Sequence, residues 1–251
     1  MLGFSTLGCP GLPLADVAAM ARKHGIPLVE LRCAADEPVH AGISQAERKA
    51  ALAALDGLGI TALASYYRLC DDDVSMLAEH VQLAHDLRAP AIRIFPGRSE
   101  KTSVELAAER LAAAVDVAEG ITLLVETHDL LLRGSEIAAV LAKSGVRGVG
   151  AVWDAMHTWR AGETPAEAAA ALLPWLGELQ LKDAASDTDR RPMIPGTGAV
   201  PIQETLAAAA GFTGPIVLEH ETKWYADAAP FEESLAAFAA LMKRSPGQDV
   251  R

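Results

Sequence analysis

Basic residues are few and dispersed in this chain. Lys and Arg number 22 against 33 Asp and Glu, a formal net charge of −11, and no run of more than two consecutive Lys or Arg occurs in the 251 residues. Phosphate contacts supply most nucleic-acid affinity, so a chain without a basic stripe is a poor candidate for DNA or RNA binding. Cysteine is equally scarce. Cys9, Cys33 and Cys70 are widely spaced, odd in number and outside any metal or redox pair pattern. That usage fits a reducing cytoplasm better than a disulfide framework. No run of 18 apolar residues offers a membrane span, and Met1-Leu2-Gly3-Phe4-Ser5 reads as a strand, not as a signal peptide. The expectation is a soluble cytoplasmic protein with neither a membrane nor a nucleic-acid partner.

What is present is an apolar majority, 51% of residues, arranged as short β-rich runs about every 30 residues with Ala- and Leu-rich stretches between them. The strands are expected at 2–6, 27–32, 60–65, 91–95, 121–126, 149–153, 177–181 and 215–219. Helices are expected near 14–24, 45–58, 72–87, 103–119, 135–143, 164–173, 202–210 and 230–244. Gly25, Gly59, Gly120, Gly145 and Gly211 stand where helix caps are needed. Strict alternation requires a parallel sheet with crossover helices. An open doubly wound sheet would carry a Gly-rich phosphate turn after its first strand, and Gly3-Phe4-Ser5-Thr6-Leu7-Gly8 lacks that pattern. One α/β domain over residues 1–251, a single (β/α)8 TIM barrel, is therefore expected, with a frayed tail after about residue 243.

Chemistry in such a barrel sits at the carboxyl ends of its strands. There the fifth, sixth and eighth strands end in Glu126, Asp154 and Glu219, while the seventh carries Gln180. Converging carboxylates repel one another unless a cation neutralises them, and oxygen donors suit Mg²⁺ or Mn²⁺. The expected inner shell is Glu126, Asp154, Gln180 and Glu219. Lys182 and Arg93 are candidates for holding a terminal hydroxyl, carboxylate or phosphate of the substrate. Glu30 is a further rim candidate, either facing substrate or paired with Arg32. His157 is read as a substrate contact or a structural hydrogen bond, and His128 and His220 as buttresses of neighbouring carboxylates. Tyr66, Tyr67, Trp159, Trp224 and Tyr225 could line a pocket or a dimer contact, which leaves a homo-oligomer open. Trp224, just beyond Glu219, is assigned to the pocket.

Val125-Glu126-Thr127-His128, Trp153-Asp154-Ala155-Met156-His157, Leu181-Lys182-Asp183 and Pro195-Gly196-Thr197-Gly198 give the chain a recognisable signature. It resembles the xylose isomerase-like barrels, specifically the sugar phosphate isomerase/epimerase group. The resemblance implies that Glu126 and Glu219 bind metal and also move protons, that Asp154 is a pure ligand, and that His157 contacts a substrate oxygen. The group's usual seventh-strand ligand is His, where this chain has Gln180. Losing an imidazole favours a harder ion, so the implied cofactor is one divalent cation, Mn²⁺ first and Mg²⁺ or Co²⁺ next. The implied activity is isomerisation or epimerisation of a sugar, sugar phosphate or polyol through an enediolate. Dehydration of a cyclic polyol or keto acid, of the inosose or dehydroshikimate type, begins with the same proton abstraction and is the alternative. An endonuclease IV-like phosphodiesterase is disfavoured because the early strand ends carry no His. A non-catalytic binding protein is the reading left if no metal binds at the carboxylates.

Overall fold

The structure, a computed structural model, describes residues 1–244. The frayed tail expected beyond about residue 243 lies, from residue 245 on, outside the described residues. In chain order the strands are β1 (Leu2–Ser5), β2 (Leu28–Arg32), β3 (Gly59–Arg68), β4 (Ala91–Phe95), β5 (Thr122–Glu126), β6 (Val149–Asp154), β7 (Leu176–Leu181), β8 (Asp183–Ala184), β9 (Pro192–Met193) and β10 (Ile216–Leu218). Eight of them close a parallel barrel in the order β1-β10-β7-β6-β5-β4-β3-β2, the eighth barrel strand being β10. Closure is direct: β1 pairs with β2 on one side and with β10 on the other, Leu2 opposite Ile216. The short antiparallel pair β8–β9 stands apart from the barrel.

Helices α1 (Leu14–His24), α2 (Gln45–Ala54), α3 (Ser75–Leu87), α4 (Val104–Val117), α5 (Gly134–Ser144), α6 (Ala155–Arg160), α7 (Pro165–Leu172), α8 (Ile202–Ala208) and α9 (Phe231–Arg244) follow the strands. Their ends obey local chemistry. Ser44 and Thr164 form reciprocal capping boxes with Glu47 and Glu167, and Gly25 and Gly145 adopt left-handed conformations with φ of 66° each. Gly59, expected as a cap, instead opens β3, because α2 stops at Ala54 and Gly57 takes the left-handed position at φ 84°. The short helix α6 was not expected from periodicity. It exists because Asp154, ending β6, caps it at once, its Oδ1 accepting from the backbone of Met156 at 2.9 Å and His157 at 3.1 Å.

The period of two along each strand sorts the chain into two interiors. Outward positions such as Leu31, Ile92, Leu123, Val125, Trp153 and Leu181 join Val17, Leu77, Leu111, Ile137 and Phe238 of the helices in one continuous apolar core. A second, small cluster of Ala62, Ala91, Leu124 and Val152 is separate. Ala91, Leu124 and Val152 each precede a polar rim residue by two positions, so they lie inside the barrel. Leu124 fills space that Gly150 and Gly177 leave: a Cβ on either would come within 2.9 or 2.5 Å of its Cδ2. One layer above, the same parity turns Arg93, Glu126, Asp154 and Gln180 inward.

Beyond β7, Asp183 organises the return to the last strand. Its carboxylate accepts from the backbone N–H of Gly196 (2.8 Å), Gly198 (2.9 Å), Val200 (3.2 Å) and Ala184 (2.9 Å). A Cβ at Gly198 would lie 2.3 Å from Asp183 Oδ1, so only Gly lets the turn close on the carboxylate. Asp183→Ala is expected to cost on the order of 2–3 kcal/mol, because buried N–H groups lose a charged acceptor. Urea denaturation measures this; a midpoint unchanged from wild type would show that the turn needs no anchor.

Candidate active site

A cavity of about 350 Å³ opens at the carboxyl end of the barrel, within the usual size of small-molecule sites. Its wall includes Glu126, His128, His157, Lys182, Glu219 and Glu221 on one side and Tyr66, Arg68, Arg93, Phe95, Arg190, Trp224 and Tyr225 around the rest. β3 runs ten residues to Arg68, past the length expected for it, and so brings Tyr66 and Arg68 to the mouth. Trp224, 53% exposed, stands at the entrance with the Arg32 guanidinium 6.0 Å from its ring. Tyr67 turns away and is buried in the main core, while Trp159 packs partly against that core.

Three side chains here could hold a metal ion together. Glu126, His128 and His157 each offer a donor atom, and these atoms lie within 4.8 Å of one another. The chemistry of each donor fits. Glu126 Oε2 and both ring nitrogens of His157 are buried without a hydrogen-bond partner. Burial, helped by the Lys182 charge, lowers the His157 pKa well below its usual value, so the ring is neutral and keeps a lone pair. Burial also lowers His128, against the opposing pull of Asp129. His128 Nδ1 lies 2.9 Å from Asp129 Oδ1, which in turn is steadied by Arg68 at 3.0 Å through its other oxygen. A proton held on Nδ1 by that carboxylate leaves Nε2 as a free donor. The His128 and His157 rings meet edge to face at 4.7 Å.

Beside this trio lies an ammonium surrounded by carboxylates. Lys182 Nζ donates to Glu219 Oε2 and to Glu221 Oε1 (2.9 Å), and lies 2.7 Å from Asp154 Oδ2. Burial alone would lower the lysine pKa, but Asp154, Glu219, Glu221 and Glu126 together hold it well above the ordinary value. Glu219 is pushed up to about 7, first by burial, with Lys182 opposing and Glu221 and Asp154 adding to the rise. Glu126 is raised well above the carboxylate range, again by burial first, although Arg93 opposes this from 3.2 Å. Arg93 lies 4.1 Å above the Phe95 ring, which fixes the guanidinium in the cavity wall.

The expected inner shell is thus divided. Glu126 and Glu219 face the cavity, whereas Asp154 and Gln180 are fully buried and absent from its wall. Gln180 Nε2 donates to Glu30 Oε2 at 2.8 Å, and Glu178 Oε1 lies 3.5 Å away. Glu30 therefore belongs to a buried polar layer below the cavity. It does not pair with Arg32, which bonds instead to Tyr66, Glu37 and Asp36. His220 does not buttress a carboxylate either: its Nε2 lies 2.9 Å from the Ala229 carbonyl. His128 as a candidate ligand and Glu221 as a partner of Lys182 were missed from sequence. The signal was available in the i, i+2 spacing of Glu126–His128 and Glu219–Glu221.

Over residues 18–241 the sequence matches the family described as Xylose isomerase-like TIM barrel. The chain belongs to this family. Among curated proteins none matches it. Solved structures similar to this xylose isomerase-like barrel include an IOLI protein with a bound zinc atom, at 16% identity and TM-score 0.83, covering 99% of both chains. A D-psicose 3-epimerase, solved in the presence of D-fructose, has 15% identity and TM-score 0.78, covering 97% of this chain and 98% of its own. The probable 3-DHS dehydratase AsbF from Bacillus anthracis has 17% identity and TM-score 0.74, covering 96% and 98%. At these identities the likeness shows the barrel fold. No described helix is long and apolar enough to cross a membrane.

The raised Glu219 carboxyl has a consequence for stability. A carboxyl with a raised pKa favours the fold fully below its ordinary 4.5 and loses that contribution as pH climbs through about 7. In metal-free buffer, the melting temperature of wild type relative to Glu219→Gln is expected to fall between these values and level off above. A difference that stays flat across that range would place the carboxyl's titration elsewhere.

Proposed function

We propose that this protein is a divalent-metal-dependent sugar isomerase or epimerase that moves a proton on the carbon beside a carbonyl. The observation that carries the reading is the set of donor atoms on Glu126, His128 and His157, opening on the cavity that also holds Glu219. One carboxylate and two imidazoles suit Mn²⁺, Co²⁺ or Zn²⁺ better than Mg²⁺. Such an ion, when bound, supplies polarisation of the sugar carbonyl and stabilisation of the charge that develops on it.

The remaining chemistry falls to the chain. Glu219, with a pKa pushed up to about 7, is poised to accept and return a proton near neutral pH. Its neighbour Lys182 keeps a positive charge beside it and stabilises the ionised form. Glu126 is the second carboxylate in the wall. Arg93, whose Nη1 is buried without a hydrogen-bond partner, is free to donate to a substrate oxygen. Phe95, Tyr66 and Trp224 offer apolar faces for the C–H side of a sugar. The similarity to a ketose 3-epimerase is compatible with this reading.

Two measurements test it. Glu219→Gln is expected to lower the rate of solvent deuterium exchange into ketose substrates by roughly 10²–10⁴-fold. An unchanged rate would remove Glu219 from the proton transfer. Product mass then separates the reactions: isomerisation conserves it, whereas a dehydratase acting on an inosose or dehydroshikimate would release water and create a conjugated product. Loss of water would replace this proposal with the dehydratase reading.

A further inference from the structure

We propose that Lys182 is a resident cation that occupies the acidic half of the barrel mouth and confines a divalent ion to Glu126, His128 and His157. The inference rests on the metal-dependent reading above for the second half only; the placement of the ammonium stands by itself.

Topology puts the ammonium there. β7 lies between β10 and β6 in the barrel, and Lys182 directly follows β7. Glu219 and Glu221 follow β10, and Asp154 ends β6. The lysine therefore rises between the two flanking strands that carry the carboxylates. Its ammonium donates to Glu219 Oε2 and to Glu221 Oε1 at 2.9 Å, and it lies 2.7 Å from Asp154 Oδ2 as an ion pair without a hydrogen bond.

The acids have little left to offer an incoming ion. Asp154 uses Oδ1 to cap α6, and its Oδ2, which makes no hydrogen bond, lies between the ammonium at 2.7 Å and His157 Nε2 at 3.6 Å. Gln180, the other member of the expected shell, spends its NH₂ group on Glu30, which fixes the amide so that its donor end faces that carboxylate. Neither residue lines the cavity. A divalent ion among Asp154, Glu219 and Glu221 would have to displace Lys182 or sit against its like charge. The other half of the mouth presents the opposite condition. Glu126 Oε2 and both ring nitrogens of His157 are unpartnered and, unlike Asp154 Oδ2, belong to residues that line the cavity; Arg93 Nε lies 3.2 Å from the Glu126 oxygen, outside hydrogen-bonding geometry. Lysine thus supplies the positive charge in this half of the mouth, without an open coordination position.

The experiment is calorimetric titration of metal-free protein with Mn²⁺ and, separately, Zn²⁺. Asp154→Asn, as a single variant, keeps the Oδ1 cap, so its metal affinity is expected to stay within about twofold of wild type, while His128→Ala weakens binding roughly tenfold or more. Lys182→Met exposes the three carboxylates and is expected to bind Mn²⁺ at least about tenfold more tightly, or with a second equivalent. Adding Asp154→Asn to Lys182→Met should erase that gain. A roughly tenfold loss of metal affinity in Asp154→Asn alone, or no gain in Lys182→Met, overturns the proposal. If Lys182→Met does not fold, the Asp154→Asn result decides. Wild type that binds neither ion, beside a Lys182→Met that does, would end the metal-dependent function and leave the resident cation standing.

Discussion

Every feature of this barrel mouth answers to one constraint: it buries more carboxylates than it can neutralise. Glu30, Glu126, Asp154, Glu178 and Glu219 are all buried, and Glu221 nearly so, with Arg93 and Lys182 the cations that contact them. Ionised and unpaired, such groups are far too costly to bury, so each must find a cation, a proton or a hydrogen bond. Lys182 takes three of them, and Arg93 lies against Glu126. Glu30 receives the Gln180 amide, and burial together with Glu30 raises the Glu178 pKa well above its ordinary value. That distribution leaves Glu30 Oε1, Asp154 Oδ2, Glu178 Oε2 and Gln180 Oε1 unpartnered away from the cavity wall, and Glu126 Oε2 and the His157 nitrogens unpartnered on residues that line it.

The fold was legible in the sequence because its signals are redundant. Strand–helix alternation recurred along the chain, and any single misplaced boundary left the barrel unchanged. Boundaries failed where tertiary chemistry replaced periodicity. Helix α6 depends on one carboxylate cap, and β8–β9 is a pair of two-residue strands folded around Asp183, so neither has a hydrophobic period to detect. β3 overshoots its expected end because Tyr66 and Arg68 find partners at the mouth rather than in the core.

The candidate site was legible by position and less so by partnership. Strand ends located Glu126, Asp154, Gln180, Glu219, Lys182 and His157 in one region, since parity and barrel geometry oblige them to converge. Which of them touch is decided by depth, and one-dimensional spacing does not encode depth. Asp154 and Gln180 are fully buried and off the cavity wall, while His128, just past the end of β5, reaches it. The side chain that most changes the charge arithmetic, Lys182, looked from sequence like a substrate contact because its carboxylate neighbours come from strands about 30 and 40 residues away along the chain.

The small cluster inside the barrel bears on traffic through it. Leu124, packed into the space granted by Gly150 and Gly177 and backed by Ala62, Ala91 and Val152, stoppers the lower half of the cylinder. The cavity is therefore closed from below, and Trp224 and Tyr225 flank its mouth. Reactant and product cannot pass one another in such a blind chamber, and each turnover must empty it before the next can begin.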